Sequence, residues 1–183
     1  MLVLALAACK NEQPPLPPDS DQPTKLMIVV DSGKGYPQLH SMVNMLRAEF
    51  PTVNIVDFQT APNAYLADVE QYVRRNPHNG LILIGHSWGA SNLFDSVANM
   101  GDVRLFVSLD GCRHLKDKPF IVTPNVRKCV NITADFEGLL RATIHGPHLH
   151  YRVHGGHSTM TREPETLELV RLFVAQEVQA VRP

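Results

Sequence analysis

Short apolar runs alternate along the chain with longer segments in which apolar residues recur every three or four positions. The runs fall at 26–30, 53–58, 81–84, 103–109, 126–134 and 149–153. The continuous apolar character of 26–30 and 81–84 predicts strands buried on both faces, as parallel sheets require. Between them, Leu39, Met42, Val43, Leu46 and Phe50 share one helical face closed by Pro51, and a helix from about residue 64 buries Tyr65, Val69, Tyr72 and Val73. Ala90, Leu93, Phe94, Val97 and Ala98 form a third face ended by Gly101. Leu167, Val170, Phe173, Val174, Val178 and Val181 form a last one, opened by Pro164. Residues 116–124 have no clean period and read as loop, and no repeat is visible. Strands alternating with helices predict an α/β domain: a mostly parallel central sheet of about six strands with helices on both faces. Hydrophobic residues make up 44% and charged residues 19% of the chain, which separates it from disordered sequences, and 183 residues suit one folded domain.

The run at 81–84 carries the chemistry. It ends in Gly85-His86-Ser87-Trp88-Gly89 and passes directly into a helix, the strand, sharp turn and helix of a nucleophile elbow. A serine hydroxyl is a poor nucleophile. It must be lifted clear of the backbone toward a base, with N–H groups nearby to receive a developing oxyanion. Glycines at 85 and 89 let the neighbouring chain approach that turn without a Cβ in the way. Ser87 is the candidate nucleophile. Gly33-Lys34-Gly35 also lies between a strand and a helix, but the phosphate-loop spacing is absent, so nucleotide binding is not expected.

Five of the nine histidines, at 145, 148, 150, 154 and 157, lie within thirteen residues. His148, His150, Arg152 and His154 alternate with Leu149, Tyr151 and Val153, the pattern of an edge strand with one wet face, so solvated histidines account for them and no metal site is expected. His157 lies beyond that strand in Gly155-Gly156-His157-Ser158, a flexible loop that can swing an imidazole over the carboxyl edge where Ser87 emerges. It is the candidate base. Asp110 and Asp135 each end a predicted strand at the same edge, and either could orient the imidazole.

The elbow at 85–89, the segment His154-Gly155-Gly156-His157 and the order of elements over about residues 26–181 together resemble the α/β-hydrolase superfamily, in particular its small, capless esterases, lipases and thioesterases. That resemblance implies a triad in the order serine, acid, histidine. Asp135 stands at the more usual place for the acid; Asp110 stands where pancreatic-type lipases and some thioesterases carry it, in a tight Leu-Asp-Gly turn, and is favoured, with Asp135 the alternative. It also implies an oxyanion hole from the backbone N–H of Trp88 and of Gly33 in the loop after the first strand, where the usual His-Gly pair is replaced by Asp31-Ser32. The activity so implied is hydrolysis of carboxylic esters or thioesters through an acyl-enzyme, with no cofactor and no metal. Short connections leave no obvious lid, which favours small or exposed acyl groups. The competing expectations are an α/β-hydrolase-fold envelope lipoprotein without activity and a metal-binding module using the histidine cluster.

Leu6-Ala7-Ala8-Cys9 resembles the lipobox of bacterial lipoproteins, which implies lipidation at Cys9. Residues 1–8 then read as a signal remnant, 9–25 as a tether and 26–183 as the hydrolase domain. Five prolines between residues 10 and 25 fit an extended tether. The implied location is the cell envelope, with Lys10 after the cysteine pointing to the outer membrane, facing the periplasm or the cell surface. A formal net charge of −1 offers no electrostatic footprint for nucleic acid. Cys112 follows one predicted strand and Cys129 opens the next, an arrangement that holds parallel neighbours at opposite edges and argues against a disulfide between them.

Overall fold

A computed structural model of the chain describes residues 26–33, 39–58, 66–76, 78–112, 119–135 and 141–181. The expectations for Cys9, the tether, Lys34, Gly35 and Tyr65 lie outside the described residues. In chain order the elements are β1 (Met27–Asp31), α1 (His40–Glu49), β2 (Asn54–Phe58), α2 (Leu66–Arg75), β3 (Leu81–His86), α3 (Trp88–Ser96), β4 (Val103–Leu109), β5 (Phe120–Ile121), β6 (Cys129–Ala134), β7 (Ile144–His145), β8 (Leu149–Val153) and α4 (Pro164–Ala180). Six of the strands form one sheet in the order β2-β1-β3-β4-β6-β8, and every pairing in it is parallel.

Side-chain alternation along the strands divides the core in two. Ile28, Val30, Ile82, Ile84, Leu105 and Val107 face Met42, Val43 and Leu46 of α1 and Val170, Phe173 and Val174 of α4. Met27, Val29, Leu81, Leu83 and Phe106 face Val69, Tyr72 and Val73 of α2 and Leu93 and Phe94 of α3. Both faces of β3 are therefore covered, and all six of its residues are buried. Each fully buried Leu or Ile contributes roughly 1.5–3 kcal/mol. The elbow consequently stands on a strand anchored on both faces.

The chain runs outward from β1 to β2 and then returns across β1 to β3, so the strand order reverses between β1 and β3. At such a switch point the loops leaving the carboxyl ends diverge and open a crevice. Asp31, which ends β1, pairs in register with Gly85 of the elbow, and Leu109, which ends β4, pairs with His86. The sheet thus delivers the ends of β1, β3 and β4 side by side. The connections between elements are short, and none is long enough to form a large cap.

Two details depart from the sequence reading. Residues 120 and 121, expected in a loop, form β5 and pair in parallel with β7 as a separate two-stranded ladder. Phe120 is fully buried and stacks on Phe94, ring centroids 4.3 Å apart. The expected strand from 126 begins at Cys129, because Arg127 turns out to an ion pair with Asp102 at 2.7 Å and only an isolated bridge joins Val126 to Val103. Cys112 and Cys129 are both free thiols.

Candidate active site

Ser87 stands between β3 and α3 with φ 55° and ψ −120°, a left-handed conformation that a non-glycine residue adopts only when its surroundings enforce it. The enforcing contacts are the close approaches at both glycines. A Cβ on Gly85 would lie 2.5 Å from Ala90 Cα, and one on Gly89 would run into the Asp31 carbonyl. The Ser87 N–H donates to the Leu109 carbonyl at 3.0 Å, which ties the turn to the end of β4.

Asp110 follows β4, also with positive φ, 45°, and its N–H donates to the Ile132 carbonyl at 2.8 Å. That backbone turns the carboxylate under the imidazole of His157, where it is 1% exposed. His157 Nδ1 lies 2.6 Å from Asp110 Oδ2, and His157 Nε2 lies 2.9 Å from Ser87 Oγ. A carboxylate can only accept, so Nδ1 carries the proton and donates to Asp110, leaving Nε2 to accept from the Ser87 hydroxyl. Serine, histidine and Asp110 are brought together in a single hydrogen-bonded line. Asp135 is not part of it. It is 44% exposed and pairs with Arg152 at 3.1 Å and His154 at 3.5 Å on the surface.

The glycine-rich loop holding His157 is pinned. The Gly156 N–H donates to Thr159 Oγ1 at 3.0 Å, and the Thr159 and Met160 N–H groups both donate to the Gly156 carbonyl. A further tie comes from His86, inside the elbow itself. Its Nε2–H donates to the His157 carbonyl at 2.9 Å, and the two rings lie 4.9 Å apart. Burial pushes the His86 imidazole down to about 4, so it is neutral wherever the site can work.

Three neighbours were given no role at the site by the sequence reading. His86 occupies a variable position of the elbow motif, where nothing marks it. Cys112 Sγ lies 3.2 Å from Ser87 Oγ. Because the serine proton is directed at His157, the thiol is the donor in that contact. Burial raises the Cys112 thiol above its usual value, with the Asp110 charge adding to the effect, so it stays protonated. Arg141 donates from Nε to Asp110 Oδ1 at 2.8 Å and from a terminal nitrogen to the Ala134 carbonyl at 2.9 Å.

Of the two expected oxyanion donors, Trp88 heads α3, where the helix dipole favours negative charge. Gly33 differs from the expectation. It does lie against Trp88 and Gly89, but its N–H donates to Asp31 Oδ1 at 2.8 Å and is already committed. Among the described residues, no three His, Cys, Asp or Glu side chains converge as a metal-ligand set. His148 precedes edge strand β8 and His150 lies in it, their ring centroids 6.5 Å apart, and His150 Nε2 meets Thr133 Oγ1 at 2.9 Å.

The sequence matches no protein-family model and no curated protein. Solved structures do match. The thioesterase domain SrfTE, which cyclises the lipopeptide antibiotic surfactin, superimposes with a TM-score of 0.55 at 15% identity, over 81% of this chain and 91% of that one. The esterase domain of a Rhodothermus marinus protein superimposes with a TM-score of 0.56 at 10% identity, over 85% of this chain and 86% of that one. Sheet order, the elbow on β3 and these superpositions agree: the chain has the α/β-hydrolase fold.

Proposed function

We propose that the chain is a serine hydrolase that cleaves carboxylic esters or thioesters through an acyl-enzyme. The observation that carries this reading is the line Ser87 to His157 to Asp110, with both hydrogen bonds at contact distance. In the proposed reaction His157 Nε2 takes the Ser87 proton as Oγ attacks the substrate carbonyl. Asp110 steadies the imidazolium, and the Trp88 N–H at the head of α3 faces the negative oxygen. His157 then returns the proton to the departing alcohol or thiol. Water, activated by the same imidazole, releases the acid. Cofactors and metal ions have no part in this sequence of steps. The two structural neighbours, a thioesterase and an esterase domain, support the substrate class.

Ser87→Ala should abolish hydrolysis of p-nitrophenyl butyrate and labelling by a fluorophosphonate probe while leaving the circular dichroism of the fold intact. Turnover undiminished in that variant refutes the assignment. We further propose that Cys9 carries a lipid and holds the domain at the bacterial outer membrane. Wild-type protein should then sediment with membranes, whereas Cys9→Ala should be released or fail to mature; equal recovery of both in the soluble fraction overturns the anchor.

A further inference from the structure

We propose that Arg141 is a positioning residue of the active site, holding the Asp110 carboxylate in place and in its charged form beneath His157. The proposal deepens the triad reading above and rests on it. Asp110 has two oxygens and divides them. Oδ2 takes the imidazole N–H at 2.6 Å, and Oδ1 takes the guanidinium at 2.8 Å. Arg141 is itself fixed at a second point, through the Ala134 carbonyl at the end of β6. Its backbone makes an isolated bridge to Cys112, and the next residue, Ala142, donates its N–H to the Gly111 carbonyl at 2.9 Å. The chain just after the Asp110 turn is therefore clamped to the chain around Arg141.

The need for such a residue follows from burial. An aspartate 1% exposed loses most of its hydration, which favours the neutral acid. A neutral Asp110 could still accept from Nδ1, but it would not steady an imidazolium. Among the described residues, the charged and titratable groups facing the His157–Asp110 pair are His86 at the end of β3, Cys112 beyond β4 and Arg141 ahead of β7. His86 is neutral and Cys112 is a thiol, so among these Arg141 is the permanent cation. Its planar fork reaches the carboxylate and the carbonyl together, which a lysine cannot do with the same geometry. Arg141 is only 25% exposed in its side chain, so its charge is less screened than that of a surface pair.

The test compares the pH dependence of kcat/KM for p-nitrophenyl butyrate in wild type, Arg141→Met and Arg141→Lys. In Arg141→Met the acid limb should move to higher pH, so that at the acid end the variant loses roughly tenfold more of its own plateau rate than wild type does. KM on the plateau should be unchanged. Arg141→Lys keeps the charge and should keep the wild-type acid limb. Should Arg141→Met fail to fold, Arg141→Gln is the neutral variant read in its place, since its amide can still donate to Asp110. An acid limb in the neutral variant that coincides with wild type overturns the proposal. So does a raised KM with an unmoved limb, which would mean that Arg141 meets the substrate. The triad reading fails separately, through turnover retained in Ser87→Ala or in Asp110→Asn.

Discussion

Two aspartates end adjacent strands at the same edge of the sheet, and their surroundings give them different work. Burial pushes the Asp110 carboxyl up, but the bond from His157 and the charge of Arg141 outweigh it and hold the group below the usual carboxylate value. It is thus a committed anion in the place where an imidazolium would form. Asp135 holds two exposed partners in high dielectric, an arrangement whose usual contribution is about 0–1 kcal/mol. Replacing each by asparagine separates the roles. Asp110→Asn keeps the shape, removes the charge and frees Nδ1 to lose its proton to the wrong tautomer, so turnover should fall by as much as ~10⁴-fold. Asp135→Asn should leave turnover near the wild-type value. Steady-state kinetics of the two purified variants decide it: a dead Asp135→Asn beside an active Asp110→Asn would transfer the acid role. Cys112 belongs at the same scale, since its thiol gives the Ser87 oxygen a donor without competing for the serine proton.

At the scale of elements, what was legible in the sequence was whatever depends on local pattern. The bounds of β4 follow from its apolar run and those of β8 from the alternation of Leu149, Tyr151 and Val153 with polar residues, and the elbow follows from two glycines whose Cβ positions are filled by Ala90 and Asp31. Which of Asp110 and Asp135 lies under His157 was only half legible, because both end strands; what separates them is the left-handed turn at Asp110, which depends on the Leu-Asp-Gly sequence and on the backbone tie to β6. β5 and β7 were not legible, since a two-residue strand shows no period and this one is fixed by Phe120 stacking under α3. Arg141 was invisible for a related reason: its partner is 31 residues away and the sheet brings them together. The bond that the Gly33 N–H makes to Asp31 also had a signal in the sequence. An aspartate two residues before an N–H readily turns its carboxylate back onto it, and Asp31 does so.

For the whole molecule, the site is also a source of pH sensitivity in the fold, through His86. Its ring is 1% exposed and its Nδ1 has no hydrogen-bond partner among the described residues, so the folded state holds it neutral. The imidazole titrates near 6.5 when unburied and near 4 in the folded chain, a group depressed on folding because burial disfavours its charged form. Between those values the unfolded chain binds a proton that the folded chain refuses. Stability is therefore full above pH 6.5 and falls as the pH drops toward 4, by a total on the order of 3 kcal/mol. Below that window the Asp110 carboxyl takes over, since a depressed acid stabilises the fold above its unfolded value of 3.8 and ceases to as it protonates. Other groups titrate over the same range, so the contribution of His86 is read as a difference. His86→Gln keeps an amide donor for the His157 carbonyl and cannot be charged. Urea unfolding of both proteins at pH 7, 5.5 and 4.5 should show the wild type losing ground on His86→Gln as the pH falls, with the gap closing by most of that amount. Parallel losses in the two proteins across the window would show that His86 is not the group that makes the fold acid-sensitive.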